Sequence, residues 1–399
     1  MLLKPAWLIL GAGGVAALHV GKLAPALPYL QQALNVDWVA AGFLLSLVQL
    51  AGMLLAVFMG VWTDGLGLRR SLITGLVLMG LASVAGALVT QATWLALTRA
   101  LEGFGFLMVV VSAPGLIRRL VPPERLSQTM GFWGAYMPSG TALALLVGPI
   151  FLAYFGWPAW WLVIGLITLW MAWQIARYVP PDVVLALNRG VVHRLSITLG
   201  APGPWLAAFS FAVYSGQWMA VIGFLPTLYG LAGVTGALLG VLTATAAAAN
   251  IVGNVASGRM IGRGWAVRSN LWLGFGLMAI GSSLAFMPLT ESWPWLRYGA
   301  VLLFSAGGGL VPGTLFYLAV RLAPGEHQVA TTLGWVQQLS SMGQFAGPPL
   351  VAAIAVHVGG WQWTPLFTLS CCALGALMAT RLQRLFLRLK AESAYGASA

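Results

Sequence analysis

"GVWTDGLGLRRSLITG", residues 60–75, sets glycines, one aspartate and two adjacent arginines between long apolar runs. It reads as a short polar turn between two apolar helices, with Asp64 ending the first beside a run of arginines. Its glycines let the chain turn and let neighbouring helices approach closely. The apolar runs on either side set the scale of the molecule. Of 399 residues, 60% are hydrophobic and 7% charged, against about a quarter charged in an ordinary soluble domain. The mean hydropathy is +0.89. That balance belongs to an integral membrane protein, in which each spanning helix needs about 20 apolar residues. The runs are continuous and do not alternate with period two, which excludes an outer-membrane barrel and predicts an all-α bundle.

Turn signals place twelve transmembrane helices near 6–30, 39–63, 71–90, 94–117, 127–154, 158–178, 204–228, 235–258, 269–288, 295–320, 329–357 and 362–385. The opening "MLLKPAWLIL" starts like a signal peptide, but no small-residue cleavage pattern follows, so it is expected to stay as the first helix. With the N-terminus inside, the inner segments collect nearly all the arginines, while Asp37, Glu291, Trp157, Trp293, Trp295 and Trp361 fall outside. This is the positive-inside pattern, and it predicts a multi-pass protein of a bacterial inner membrane with both termini cytoplasmic. It also accounts for the net charge of +12 without nucleic acid, since no basic groove with stacking aromatics is visible. The adjacent Cys371 and Cys372 offer neither a disulfide nor metal-ligand spacing. The polar segment 178–204 divides the chain into an N-terminal half (1–178), a linker (179–203), a C-terminal half (204–385) and a basic tail (386–399) expected to anchor at the interface.

The two halves repeat one another. "RLVPPERLSQTMGFWGAYMPSG" at 119–140 matches "RLAPGEHQVATTLGWVQQLSSMG" at 321–343, and "GPIFLAYFGW" answers "GPPLVAAIAVHVGGW" downstream. Two membrane halves of common design imply alternating access around a central site.

The 60–75 turn resembles the signature loop of the major facilitator superfamily, keeping Gly60, Asp64, Gly67, Arg69 and Arg70 at the family's spacing between helices 2 and 3. "LTRALEGFG" at 97–105 is similar to the family's arginine-x-x-glutamine-glycine motif, with Glu102 in place of glutamine. The resemblance implies two pseudo-symmetric six-helix halves, a cavity lined by helices 1, 4, 7 and 10, and a conformational latch in which Asp64 engages the opposite half. The counterpart "GNVASGRMIGRGWAVRS" at 253–269 has Gly258 where the aspartate belongs, which makes the latch one-sided. "LAPALPYLQ" at 23–31 is similar to the cyanate and nitroimidazole permease group, without the arginine expected in that helix.

Few ionisable groups lie at membrane depth: His19 and Lys22 in helix 1, Arg99 and Glu102 in helix 4, and Arg297 near the outer end of helix 10. Such groups are costly in lipid and are expected to face an interior cavity. His19 and Lys22 share one helical face. If Arg99 and Glu102 neutralise each other, Lys22 is left as a counter-ion for an oxyanion substrate, with His19 beside it and Arg297 as the repeat partner of Arg99. The alternative is that Lys22 snorkels or pairs with Glu102. Glu102, Arg99 and His19 are the candidates for proton coupling, against a fixed salt bridge for Glu102 and plain hydrogen bonding for His19. Tyr136, Tyr214, Gln217, Trp218, Asn250 and Gln337 are expected to complete the pocket. Pro25, Pro28 and Pro114 read as kinks.

These features predict a monomeric secondary active transporter of a small organic anion, coupled to protons and seated in the lipid bilayer, with no cofactor and no metal. The alternative is an exporter of amphiphilic drugs or metabolites by proton antiport. An enzyme is not expected, because one histidine beside a lysine is no catalytic constellation. "SAGGGLVPG" at 305–313 lacks the lysine-serine ending of a phosphate loop.

Overall fold

The computed structural model describes residues 4–34, 38–182, 191–234 and 236–396, all in helices or short connections, with no strand among them. The twelve expected spans are present. Span 1 runs Lys4–Gly21 and on through Leu23–Leu34, span 2 Trp38–Leu66, span 3 Leu68–Gly86 and span 4 Ala92–Leu120. Span 5 is Pro123–Gly134 and the first part of Tyr136–Tyr178, and span 6 the rest of that helix after a turn at Gly156, whose φ of 74° suits glycine. Spans 7 to 9 are Pro202–Leu231, Gly236–Gly262 and Val267–Phe286. Span 10 runs Pro294–Gly308 and Leu310–Arg321, span 11 Val329–Val358 and span 12 Thr364–Gly396.

Three helices break within the bundle, at Lys22, Ala135 and Gly309. Each break lies next to the residue four positions before a proline: Gly21 before Pro25, Gly134 before Pro138, Gly308 before Pro312. A helical proline offers no N–H to that carbonyl and its ring crowds it, so the helix opens there. Pro114 differs, lying inside an unbroken Ala92–Leu120. Span 12 also runs eleven residues past the expected end at 385, to Gly396, because "RLQRLFLRLKAE" consists of good helix formers with no glycine or proline to stop it. A further helix, Val191–Gly200, forms in the segment expected as linker.

Backbone of one half comes close to backbone of the other toward the arginine-rich end. A Cβ on Gly131 of span 5 would stand 2.6 Å from the Asn254 carbonyl and 2.9 Å from the Gly258 nitrogen of span 8. One on Gly60 of span 2 would stand 2.5 Å from the Ala330 carbonyl at the start of span 11. The Arg118 guanidinium donates to the Val320 carbonyl across the same seam, with Glu326 at 4.0 Å. Backbone therefore meets backbone and shuts the bundle at this end.

The 60–75 turn is held from within its own half. The backbone N–H groups of Arg69 and Arg70, in the first turn of span 3, donate to the Asp182 carboxylate at 2.9 and 3.0 Å. The Arg69 side chain donates to the carbonyls of Val179 and Ala176. Asp182 so caps span 3 from the exit of span 6, while Gly67 at φ 100° gives it room. Asp182→Ala removes both acceptors, and a helix cap is worth about 1 kcal/mol. A lower thermal midpoint in the purified protein, partly restored by Asp182→Asn, is the expected result. The side chain of Asp64, the expected latch, lies outside the described part of the structure.

Candidate transport site

Two polar assemblies sit at mid-bundle. The first lies inside the N-terminal half, among spans 1, 3, 4 and 6. The break beside Gly21 presents Lys22, whose Nζ donates to Glu102 Oε1 at 2.6 Å and to Ser83 Oγ at 2.7 Å, with His19 Nδ1 at 3.4 Å and the Trp161 ring centroid at 4.6 Å. Arg99 donates to the other Glu102 oxygen and, at 2.7 Å, to the His19 carbonyl. His19 Nε2 lies 2.7 Å from Thr168 Oγ1. His19, Lys22 and Glu102 are fully buried and Arg99 is 1% exposed. Two cations thus share one carboxylate away from water, where unscreened charges act strongly on one another.

The second assembly is a cavity between the halves, walled by spans 5, 7, 8, 10 and 11 beside the breaks before Pro138 and Pro312. Its walls are aromatic. Tyr136 stacks on Trp133 at 4.6 Å, and Phe211 meets Phe316 at 5.1 Å and Tyr214 at 5.9 Å. Neutral hydrogen-bonding groups punctuate them. Asn250 Nδ2 donates to the Ser305 carbonyl at 2.8 Å and to the Tyr214 hydroxyl at 3.0 Å, and Trp218 Nε1 donates to Ser305 Oγ at 3.2 Å. Gln49 of span 2 reaches across the halves to donate to Gln344 Oε1 at 3.0 Å. No charged residue lines this cavity among the described residues. Its volume of about 50 Å³ is far below the roughly 300–1,000 Å³ of pockets that enclose drug-sized ligands. A solute must therefore part the walls.

Of the residues expected from sequence, Tyr136, Tyr214, Trp218, Asn250 and Gln337 line this cavity. His19, Lys22, Arg99 and Glu102 do not line it, because they bond to one another and to spans 3 and 6. Lys22 pairs with Glu102, the alternative left open by the sequence. Arg297 is a correction, being spent on the turn before span 10, where it donates to Thr290 Oγ1 at 3.2 Å and the Met287 carbonyl at 3.0 Å. Gln217 also turns away from the cavity and accepts from the Cys372 thiol at 3.3 Å. Ser83, Thr168, Phe211, Phe316, Gln344 and Asp182 are the residues that sequence reading missed. Only the acid at 182, directly after two prolines at the end of a span, carried a usable signal.

The Major Facilitator Superfamily family model matches residues 9–348 and 207–393, nearly the whole chain. The chain belongs to the Major Facilitator Superfamily. Its fold is similar to that of the transporter FucP in the outward conformation, with a TM-score of 0.78 over 95% of this chain and 99% of that one, at 15% identity. As a superfamily member the chain is a multi-pass membrane protein. Curated relatives are more distant and partial. The methyl viologen resistance protein SmvA of Salmonella typhimurium (strain LT2) is 35% identical over 38% of this chain and 31% of its own length. The cyanate transport protein CynX of Escherichia coli (strain K12) is 26% identical over 56% of this chain and 58% of its own. The niacin transporter NiaP of Acinetobacter baylyi is 28% identical over 44% of this chain and 39% of its own. The chain thus spans about a third of the length of the first of these relatives and less than two thirds of the others.

Proposed function

We propose that this superfamily member is a secondary active transporter of a small aromatic or amphiphilic solute, working by alternating access and coupled to protons through Lys22, Glu102 and Arg99. The observation that carries the substrate class is the cavity wall, aromatic and amide-bearing with no charge of its own among the described residues. Rings such as Phe211 and Trp218 offer area to an apolar body, and Asn250 and Gln337 fix its polar groups. The relatives that confer resistance to methyl viologen, or export tetracenomycin C, support this reading. The distribution of arginines supports a bacterial inner membrane with both termini in the cytoplasm.

Coupling has a physical basis in the first assembly. Glu102 is shared by Lys22 and Arg99, so any movement of span 1 against span 4 changes what each charged group costs to keep. A second substrate reading, a small organic anion, is favoured by the surplus cation of that cluster. The names of the cyanate and niacin transporters point the same way.

Uptake into proteoliposomes under an imposed pH gradient separates the two, using a neutral aromatic amide, an aromatic carboxylate, an inorganic oxyanion and a lipophilic cation as probes. The first reading expects Trp218→Ala and Asn250→Ala each to raise KM about tenfold, the size of one lost hydrogen bond or ring contact, with KM unchanged in Lys22→Gln. Transport confined to oxyanions, with KM raised by Lys22→Gln and not by Trp218→Ala, would overturn it in favour of the second.

A further inference from the structure

A groove of about 610 Å³ opens at the arginine-rich end of the C-terminal half, outside the transport site, between the start of span 9, the end of span 10 and the extension of span 12. One charged residue, Arg321, lines it, with Trp265, Tyr317, Gln383, Phe386 and Leu389 around it. The Arg321 guanidinium lies 5.7 Å from the Tyr317 ring centroid. Among the described residues it makes no ion pair and no side-chain hydrogen bond. Arg263, Arg268, Arg384 and Arg388 stand exposed on the same side of the bundle, again with no carboxylate partner among the described residues. The backbone N–H of Arg268 at the start of span 9 donates to Gln383 Oε1 at 3.1 Å, so a side-chain oxygen already occupies the place where a helix start favours negative charge.

We infer that this groove seats the headgroup of an anionic phospholipid. The required ligand must supply a negative charge for Arg321 and an apolar body for Trp265, Phe386 and Leu389. A phospholipid has both. Free phosphate has no use for the apolar wall, and a zwitterionic lipid leaves the arginines uncompensated. Trp265 is 50% exposed and Leu389 41%, so the apolar wall is open for acyl chains to lie against. Basic pockets between spanning helices are a recurrent way of holding lipid phosphates. The site is independent of which solute the transporter carries.

The test uses the full-length protein purified in neutral detergent and titrated with phosphatidylglycerol, phosphatidylcholine or inorganic phosphate. Thermal midpoint and bound lipid by native mass spectrometry are the readouts. Phosphatidylglycerol should raise the midpoint saturably where the other two do not, and Arg321→Gln should raise the half-saturating concentration about tenfold, the size of one charge-assisted contact. Trp265→Ala should weaken binding as well, and it carries the test should Arg321→Gln fail to fold. Arg177→Gln, on the N-terminal half, should change nothing. Equal weakening by Arg177→Gln would mean diffuse surface attraction and would overturn the site, as would equal stabilisation by phosphatidylcholine or by phosphate alone.

Discussion

Glu102→Gln should abolish proton-driven accumulation of substrate and cost the protein more stability than either Asp182→Ala or Gly258→Ala. The carboxylate holds Lys22 on one oxygen and Arg99 on the other, all three cut off from water. Without it, two cations face one another across a neutral amide. Removing one member of a buried ion group typically costs about 3–5 kcal/mol, since the charges left behind keep their desolvation penalty and lose their compensation. The substitution also removes the carboxylate of the cluster through which coupling is proposed to run. Lys22→Met placed on Glu102→Gln should recover part of the lost stability, because one of the two stranded charges goes with it, but not the accumulation. Thermal midpoints across this double-mutant cycle and uptake with and without a pH gradient provide the check. A Glu102→Gln protein as stable as wild type, accumulating normally, would refute the role given to the cluster.

Gly258→Ala should open the arginine-rich end. The new Cβ would stand 2.5 Å from the Ser127 carbonyl and 2.8 Å from the Gln128 Cα, backbone atoms that can yield only if spans 5 and 8 separate. Overpacking of this kind costs about 1–3 kcal/mol. It weighs only on the state in which this end is shut, so the ratio of closed to open molecules should fall about 5- to 150-fold. Gly131→Ala should act alike from the facing helix. Gly276→Ala is the control, since its Cβ meets nothing within 4 Å. Spin labels at positions 70 and 263, exposed in opposite halves, should show a longer-distance population in the first two variants and the wild-type distribution in the third.

Much of the fold could be read from sequence because the bilayer imposes it. Twelve runs long enough to cross it, and a repeated Arg-Leu-x-Pro-x-Glu turn at 119 and 321, leave little freedom in topology. The helix breaks are less legible. Pro25 reads as a kink and acts as one, and the glycine-rich 305–313 stretch reads as a closely packed or bending helix and breaks before Pro312. Pro114, in contrast, reads as a kink and sits in a continuous helix, and the break before Pro138 emerges only in the structure. A proline's presence alone does not say whether its neighbours will absorb the lost hydrogen bond.

The site was legible only in its residue types. Charge spacing put Lys22 with His19 and Arg99 with Glu102, but which pair meets which depends on rotation of span 1 about its axis, and no periodicity in so uniformly apolar a helix reports that. Ser83 and Thr168, which complete the cluster, look like any hydroxyl in a membrane helix. Aromatic cavity residues such as Phe316 cannot be told from lipid-facing ones until the halves are brought together.

The repeat leaves the two halves electrically unequal. Val20-Gly21-Lys22 of span 1 answers Ser215-Gly216-Gln217 of span 7, and Ser83 of span 3 answers Ser282 of span 9, which bonds to Thr368 at 2.5 Å. Where one half buries two cations and a carboxylate, the other buries amides and hydroxyls. The voltage across the bilayer acts on net charge, at about 2.3 kcal/mol per elementary charge carried through 100 mV, so it has a grip on the buried cluster of the N-terminal half that the corresponding described groups of the other half do not offer. That grip exists while Lys22 holds its proton and vanishes when the proton leaves. If coupling runs through Lys22 as proposed, the ammonium that answers to the pH gradient is also the point at which the electrical gradient takes hold.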